Sequence, residues 1–244
     1  MRETEAILFD AYGTVLDVGT YHRDITKHVV KQSNTLFGII TSYEEFTAYW
    51  SEEFECAFDD VIAYCGEFRN MRDLYGISTR NVFHRYGISV PDAYVEELNS
   101  IYRKMLDEAV AILPSVKETL ETLYVDGCRL GMVSNGDTEE LSVHLNGVSD
   151  LFDVIVTSEE LGVYKPHSRI FDEALQKMGV GREATAFVGD TLTSDVLGAK
   201  KAGLIAIWYN RRQRTPKPGI HPDFEIRDMT ELLEIVDIKQ SSPD

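Results

Sequence analysis

The 244-residue chain carries 41 acidic against 24 basic side chains, a formal net charge of -17, which opposes binding to nucleic-acid phosphates or an anionic membrane surface. With 43% hydrophobic residues it can fill one large core, or a core domain and a smaller companion. No run approaches the roughly 18 consecutive apolar residues of a membrane span. The start, MRETEA, lacks the basic and apolar regions of a secretory signal, so the expectation is a soluble, cytoplasmic protein without nucleic-acid or membrane partners. Cys56, Cys65 and Cys128 are odd in number and have no metal-ligand spacing, which predicts reduced packing residues. An anionic substrate would need a local basic group or a bound cation to overcome the overall field.

Ala6, Ile7, Leu8 and Phe9 form a short apolar run into Asp10 and the turn residue Gly13. Such a run predicts a strand buried on both faces, with Asp10 at its carboxyl end. In an open parallel sheet, ligands bind at that edge. Gly13 lets the backbone turn sharply, and the Thr14 hydroxyl can tie the turn to neighbouring backbone.

The rhythm then becomes helical. From Ser42, residues Phe46, Tyr49, Trp50, Phe54, Phe58, Val61 and Ile62 recur at three- and four-residue spacing, with Ser42 and Glu45 as a capping pair. After Pro91, residues Val95, Leu98, Ile101, Tyr102, Met105 and Leu106 repeat the pattern. Residues 18–107 therefore read as an all-helical insert. Its aromatic stripe is expected to be helix-packing core, with a few members left to line a cavity facing the sheet.

From Pro114, helix and strand alternate. Ser115 and Glu118 are expected to cap a helix that Gly127 ends, followed by the strand RLGMVS to Ser134. A helix after SNGD has Asp137 and Glu140 as its capping pair. There follow the strand VIVT, the loop VYKPHS, a helix through Ile170, Phe171, Ala174, Leu175 and Met178, and the strand AFVGD to Asp190. A helix through Val196, Leu197 and Ala202 leads to LIAIWY, read as the last sheet strand, and the tail KQSSPD is polar and expected to fray. Repeated βα units predict an α/β fold: a Rossmann-like, doubly wound, mainly parallel sheet, with residues 1–17 and 108–244 as core and 18–107 inserted.

Polar groups recur at the predicted strand ends: Asp10, Ser134 with Asn135, Lys165 in a loop, and Asp190 with Asp195 five residues on. Each singly has an ordinary role as turn former, loop charge or helix-start carboxylate. A basic run, Arg211, Arg212, Arg214 and Lys217, leaves the same edge, while His167 reads as a surface loop residue.

In order and spacing, FDAYGTVLD, VSNGD, YKP and GDTLTSD resemble the four loop motifs of the haloacid dehalogenase superfamily, over nearly the whole chain. The resemblance implies a hydrolase with a Rossmann-like core and a mobile helical cap in the place of residues 18–107. It makes Asp10 the nucleophile that carries a covalent intermediate, with Ser134 and Lys165 as its catalytic companions. It also implies Mg²⁺, a hard ion preferring oxygen ligands, held by Asp10, Asp190, the backbone carbonyl of Tyr12 and, directly or through a second layer, Asp195. An aspartate of ordinary pKa, ~3.9, is ionised at neutral pH and attacks without a separate base. Tyr12, Thr14, Asn135 and Arg211 are the expected substrate contacts, for a small anionic substrate. The chain is expected to be a monomer or homodimer.

The sequence departs from the phosphatase pattern at Tyr12, where family phosphatases carry a second Asp as general acid. DAYGT looks like the 2-haloacid dehalogenase branch, whose halide leaves without a proton, whereas Gly189 and Asp190 in GDTLTSD look like the Mg²⁺-binding fourth motif. That branch also has an early cap arginine; Ser51 lies near its place, and Arg23, Arg69 or Arg72 could substitute for it. The resemblance thus favours a Mg²⁺-dependent phosphatase acting through an aspartyl phosphate. Its alternatives are a metal-independent 2-haloacid dehalogenase acting through an aspartyl ester, and a weakly active or inactive binding protein on the same fold.

Overall fold

A computed structural model of the chain describes residues 3–62 and 67–238. Met1 and Arg2 of the MRETEA start, Cys65 and the KQSSPD tail lie outside the described residues. The chain forms two compact units, one of Met1–Asp17 with Ala111–Asp244 and the other of Val18–Val110.

In the first unit, strand β1 (Ala6–Phe9) is followed at once by Asp10. All four strand residues are fully buried, as a continuous apolar run requires when both sheet faces are covered. The inserted unit holds helices α1 (Tyr21–Phe37), α2 (Tyr43–Ile62), α3 (Met71–Arg85) and α4 (Asp92–Ala109). Its core gathers on Phe83 of α3, fully buried, with edge-on ring contacts to Phe37, Phe46 and Tyr94 at 5.5, 6.2 and 5.6 Å. The aromatic stripe of α2 serves that core only through Phe46, its one buried member. Trp50 and Phe54 stack at 5.3 Å and, with Tyr75, line a cavity of about 350 Å³ within the insert.

The remainder of the first unit adds β2 (Arg129–Ser134), β3 (Val154–Thr157), β4 (Thr185–Gly189), β5 (Ile205–Tyr209) and β6 (Phe224–Ile226). Its helices are α5 (Pro114–Val125), α6 (Thr138–His144), α7 (Ser158–Leu161), α8 (Ser168–Met178), α9 (Leu197–Lys201) and α10 (Leu232–Ile235). The six strands run parallel in the order β3-β2-β1-β4-β5-β6. Side-chain alternation sends Ala6 and Leu8 into one cluster with Ile170, Phe171 and Ala174 of α8 and Ala199 of α9, and Ile7 and Phe9 to the opposite face. The strand order reverses direction between β1 and β4, the point at which such a sheet opens a crevice at its carboxyl edge. Asp10 and Asp190 follow those two strands. The chain segments entering and leaving the insert pair as a short antiparallel ladder, Leu16 with Ile112 and Asp17 with Ala111.

Several local expectations are corrected. LIAIWY is not the last strand: β6 follows it, a three-residue edge strand too short to show an alternation. Ser115 and Glu118 do not cap α5, because Pro114 already occupies its first turn and Leu113 stands at the cap position without a side-chain bond. Asp137 stands at the cap of α6 without capping it, and the Thr138 amide donates to Glu159 instead, at 2.8 Å. Ser42 does accept from the Glu45 amide at 3.0 Å, while the Glu45 carboxylate takes the Thr41 hydroxyl. Cys128 is buried and free, its thiol pushed up to about 12 by burial, but Cys56 is exposed, so packing explains only the former. No helix among the described residues is long and apolar enough to cross a membrane.

Truncating Phe83 to Ala removes the ring that the other three meet. The expected cost is about 3–5 kcal/mol, read as a lowered urea midpoint in near-UV circular dichroism.

Candidate active site

The site begins where β1 ends. The Asp10 amide still donates to Val188 O of β4 at 2.9 Å, so the ladder holds its backbone up to the turn. Ala11 O then accepts from the Val15 and Leu16 amides at 2.9 and 2.8 Å, and the Gly13 amide donates to Leu16 O at 2.7 Å. Gly13 has φ +97°, and a Cβ there would lie 2.8 Å from the Asp190 carboxyl carbon. Only glycine both adopts this turn and admits that carboxylate against its backbone. The Thr14 hydroxyl donates to Asp10 Oδ2 at 3.0 Å, tying the turn to the carboxylate rather than to backbone.

Lys165 is 1% exposed, and its ammonium lies 2.6 Å from Asp10 Oδ1 and 2.8 Å from Asp195 Oδ1. Asn135 holds the lysine backbone in both directions: its Nδ2 donates to Lys165 O at 3.1 Å and its Oδ1 accepts the Lys165 amide at 2.7 Å. The Lys165–Pro166 peptide is cis. Burial pulls the lysine pKa down, but Asp10 and Asp195 outweigh it and the net shift is upward.

After β4 the chain makes a π-helical turn, Leu192–Val196, in which the Asp195 and Val196 amides both donate to Thr191 O, at 3.0 and 3.2 Å. The helix expected through Val196, Leu197 and Ala202 begins as a regular α-helix only after this turn, at Leu197. The turn places Asp195, 1% exposed, with Oδ1 on Lys165 and Oδ2 accepting the Thr191 amide at 2.9 Å. Asp190 accepts the Thr191 hydroxyl on Oδ1 at 3.0 Å and has Arg214 at 3.3 Å from Oδ2.

Oxygens of Asp10, Asp190 and Asp195 lie within 4.8 Å of one another. One buried ammonium and one half-exposed guanidinium face three carboxylates. Burial, joined by the charges of Asp195 and Asp190, pushes Asp10 up to about 7 against the opposing pull of Lys165. Burial and Asp195 likewise raise Asp190, against Arg214. A cluster of hard oxygen donors with surplus negative charge suits a divalent cation such as Mg²⁺. Ser134, 1% exposed at the end of β2, has a hydroxyl with no hydrogen-bond partner among the described residues, a condition costing about 1–3 kcal/mol until some group takes it.

The remaining predicted contacts divide. Asn135 is bonded to the Lys165 backbone, which makes it a support for the lysine. Arg211 pairs with Asp17 at 2.6 Å, and Arg214 is the member of the basic run that reaches Asp190. Asn210 sets Arg214 there by bracketing its backbone, accepting the Arg214 amide at 2.7 Å and donating to its carbonyl at 3.0 Å. Sequence reading saw the run but not which arginine turns inward, although an Asn at its head was a signal for a side-chain-closed turn. The Tyr12 hydroxyl meets His144 Nδ1 at 2.8 Å, a partner 132 positions away that no local pattern announces. His167 caps α8, accepting the Arg169 amide at 3.1 Å.

A family model of haloacid dehalogenase-like hydrolases matches residues 4–203. The pyrimidine 5'-nucleotidase YjjG of Escherichia coli is 33% identical over 143 residues, covering 57% of this chain and 63% of that protein. The chain thus spans about three-fifths of the length of this curated relative. The solved magnesium-bound structure of the putative HAD-hydrolase YfnB from Bacillus subtilis is similar with a TM-score of 0.76 at 22% identity, covering 97% of this chain and 100% of that one. L-2-haloacid dehalogenase from Xanthobacter autotrophicus is similar with a TM-score of 0.71 at 18% identity, covering 95% and 98%. At these identities the two structures speak for the fold alone.

Replacing Lys165 with Met leaves buried carboxylates without their ammonium. The expected loss is about 3–5 kcal/mol, measured by urea denaturation with chelator present.

Proposed function

Because the chain belongs to the haloacid dehalogenase-like hydrolases, we propose that it is a Mg²⁺-dependent phosphatase that moves the phosphoryl group of a small phosphorylated metabolite first to Asp10 and then to water. One observation carries this reading: oxygens of Asp10, Asp190 and Asp195 within 4.8 Å of one another around a single buried ammonium. Displacing a halide needs no such cation site. Asp10 and Asp190 would hold the ion, with the Tyr12 carbonyl and Asp195 as further candidates. Since both Asp195 oxygens are engaged by Lys165 and the Thr191 amide, its main part is to orient Lys165. Burial raises Asp10 to about 7, above the ordinary carboxylate range assumed from sequence, and bound Mg²⁺ would supply the positive charge that keeps it a carboxylate and lets an anionic phosphate approach it.

The chain's own groups do the rest. Lys165 and Thr14 fix the Asp10 carboxylate through one oxygen each. An Asp10 oxygen forms a bond to phosphorus as the bond from phosphorus to the leaving oxygen breaks, and the departing alkoxide takes its proton from water. The partnerless Ser134 hydroxyl donates to an oxygen of the transferring group, a charge that grows in the transition state. Water then attacks phosphorus, losing a proton to the hydroxide left when the alkoxide was protonated, the bond to Asp10 breaks, and the carboxylate is restored as phosphate leaves with the water's oxygen. A carboxylic acid at position 12 would normally protonate the leaving oxygen, and its absence costs about 10²–10⁴ in rate. Good leaving groups are therefore the expected substrates.

Parallel assays of para-nitrophenyl phosphate and L-2-chloropropionate, each with Mg²⁺ or excess chelator and with Asp10→Asn as blank, test the reading. The expected result is phosphate release that requires Mg²⁺; chloride release that survives chelator overturns it. Tyr12→Asp is expected to raise kcat on alkyl phosphates by about 10², and an unchanged kcat in a folded variant counts against the missing-acid argument.

A further inference from the structure

The place of the missing acid is occupied by a built pair. Tyr12 is half-buried, and its hydroxyl shares a 2.8 Å hydrogen bond with Nδ1 of His144, the last residue of α6, which is 8% exposed. The two rings meet edge to face, at 87° and 5.7 Å between centroids, the preferred geometry for rings with opposed edge and face charge. One polar contact and one ring contact together leave the tyrosine little rotational freedom.

The ring's position follows from Gly136. A Cβ added there would lie 3.0 Å from Ser134 Oγ and 3.2 Å from Tyr12 Cε2. The edge of the Tyr12 ring and the Ser134 hydroxyl, which has no partner among the described residues, therefore lie on one side of the Gly136 backbone, too close to it for a side chain at 136. A group hydrogen-bonded by Ser134 then has the edge of the phenol ring beside it, apolar C–H where an acid would offer a proton.

Building on the phosphatase reading, we infer that His144 is a positioning residue that fixes the Tyr12 ring beside Ser134, and that this ring is the surface on which the leaving group packs, selecting aromatic over alkyl phosphate esters. Two physical effects converge on that substrate class. An aryl oxide leaves without protonation, and an aryl ring gains contact with a fixed aromatic surface that an alkyl chain gains less well.

The test reads binding alone, so it is decided separately from turnover. Phenylphosphonate and methylphosphonate, which carry no cleavable ester, are titrated calorimetrically into the full chain with Mg²⁺ present. The unsubstituted chain is expected to prefer phenylphosphonate by about tenfold, as aromatic pairing plus its buried area implies. Tyr12→Ala brings the two ligands to near parity. His144→Ala lowers the preference severalfold while methylphosphonate affinity stays unchanged, and His144→Asn, whose amide can replace Nδ1, recovers most of it. A general structural role for His144 would weaken both ligands together. Absence of a phenyl preference in the unsubstituted chain, or a preference untouched by His144→Ala, overturns the inference. Loss of both affinities in step does the same.

Discussion

The ammonium of Lys165 lies between Asp10 and Asp195, and the site depends on that contact. Two carboxylates this deeply buried repel one another and are costly to desolvate; one lysine shared at 2.6 and 2.8 Å makes their closeness tolerable. The lysine pays in turn for its own burial, since a charged amine among Phe187 and the sheet core is stable only beside opposite charge. Each neighbouring feature secures one end of this arrangement. Asn135 holds the lysine backbone, the Thr191 amide holds Asp195, and Thr14 holds the second oxygen of Asp10.

The arrangement is incomplete in charge, and that imbalance points to chemistry. Asp190 is pressed against the glycine turn at residue 13, with the Thr191 hydroxyl on one oxygen and Arg214 beside the other, and burial raises both it and Asp10. A structural ion-pair network would close with equal charges. This one leaves surplus negative charge beside a nucleophile candidate and, among the described residues, an unmade Ser134 hydrogen bond, which supports the cation site proposed above.

The sheet explains why these groups meet. Asp10 and Asp190 follow neighbouring strands at the reversal of strand order, so residues 180 positions apart share one crevice without any local contact. The π-helical turn then bends Asp195 inward, which a regular helix beginning at the same place need not do. The candidate site is a consequence of strand order first and of one irregular turn second.

By itself the sequence determined the α/β alternation, the helical insert and the chemical identities at the strand ends, because hydrophobic period and turn residues are local and survive in one dimension. Asp10, Lys165, Asp190 and Asp195 stood out as a set only because the chain's four motifs, in order, resemble the loop motifs of the haloacid dehalogenase superfamily. What only the tertiary structure decided is which groups touch: that Asn135 supports Lys165, that Arg214 rather than Arg211 reaches Asp190, that Tyr12 is held by His144, and that most of the α2 aromatic stripe borders a cavity. These outcomes depend on side-chain direction and on partners up to 194 residues apart, set by the packing of strands and helices together, and no spacing along the chain encodes them.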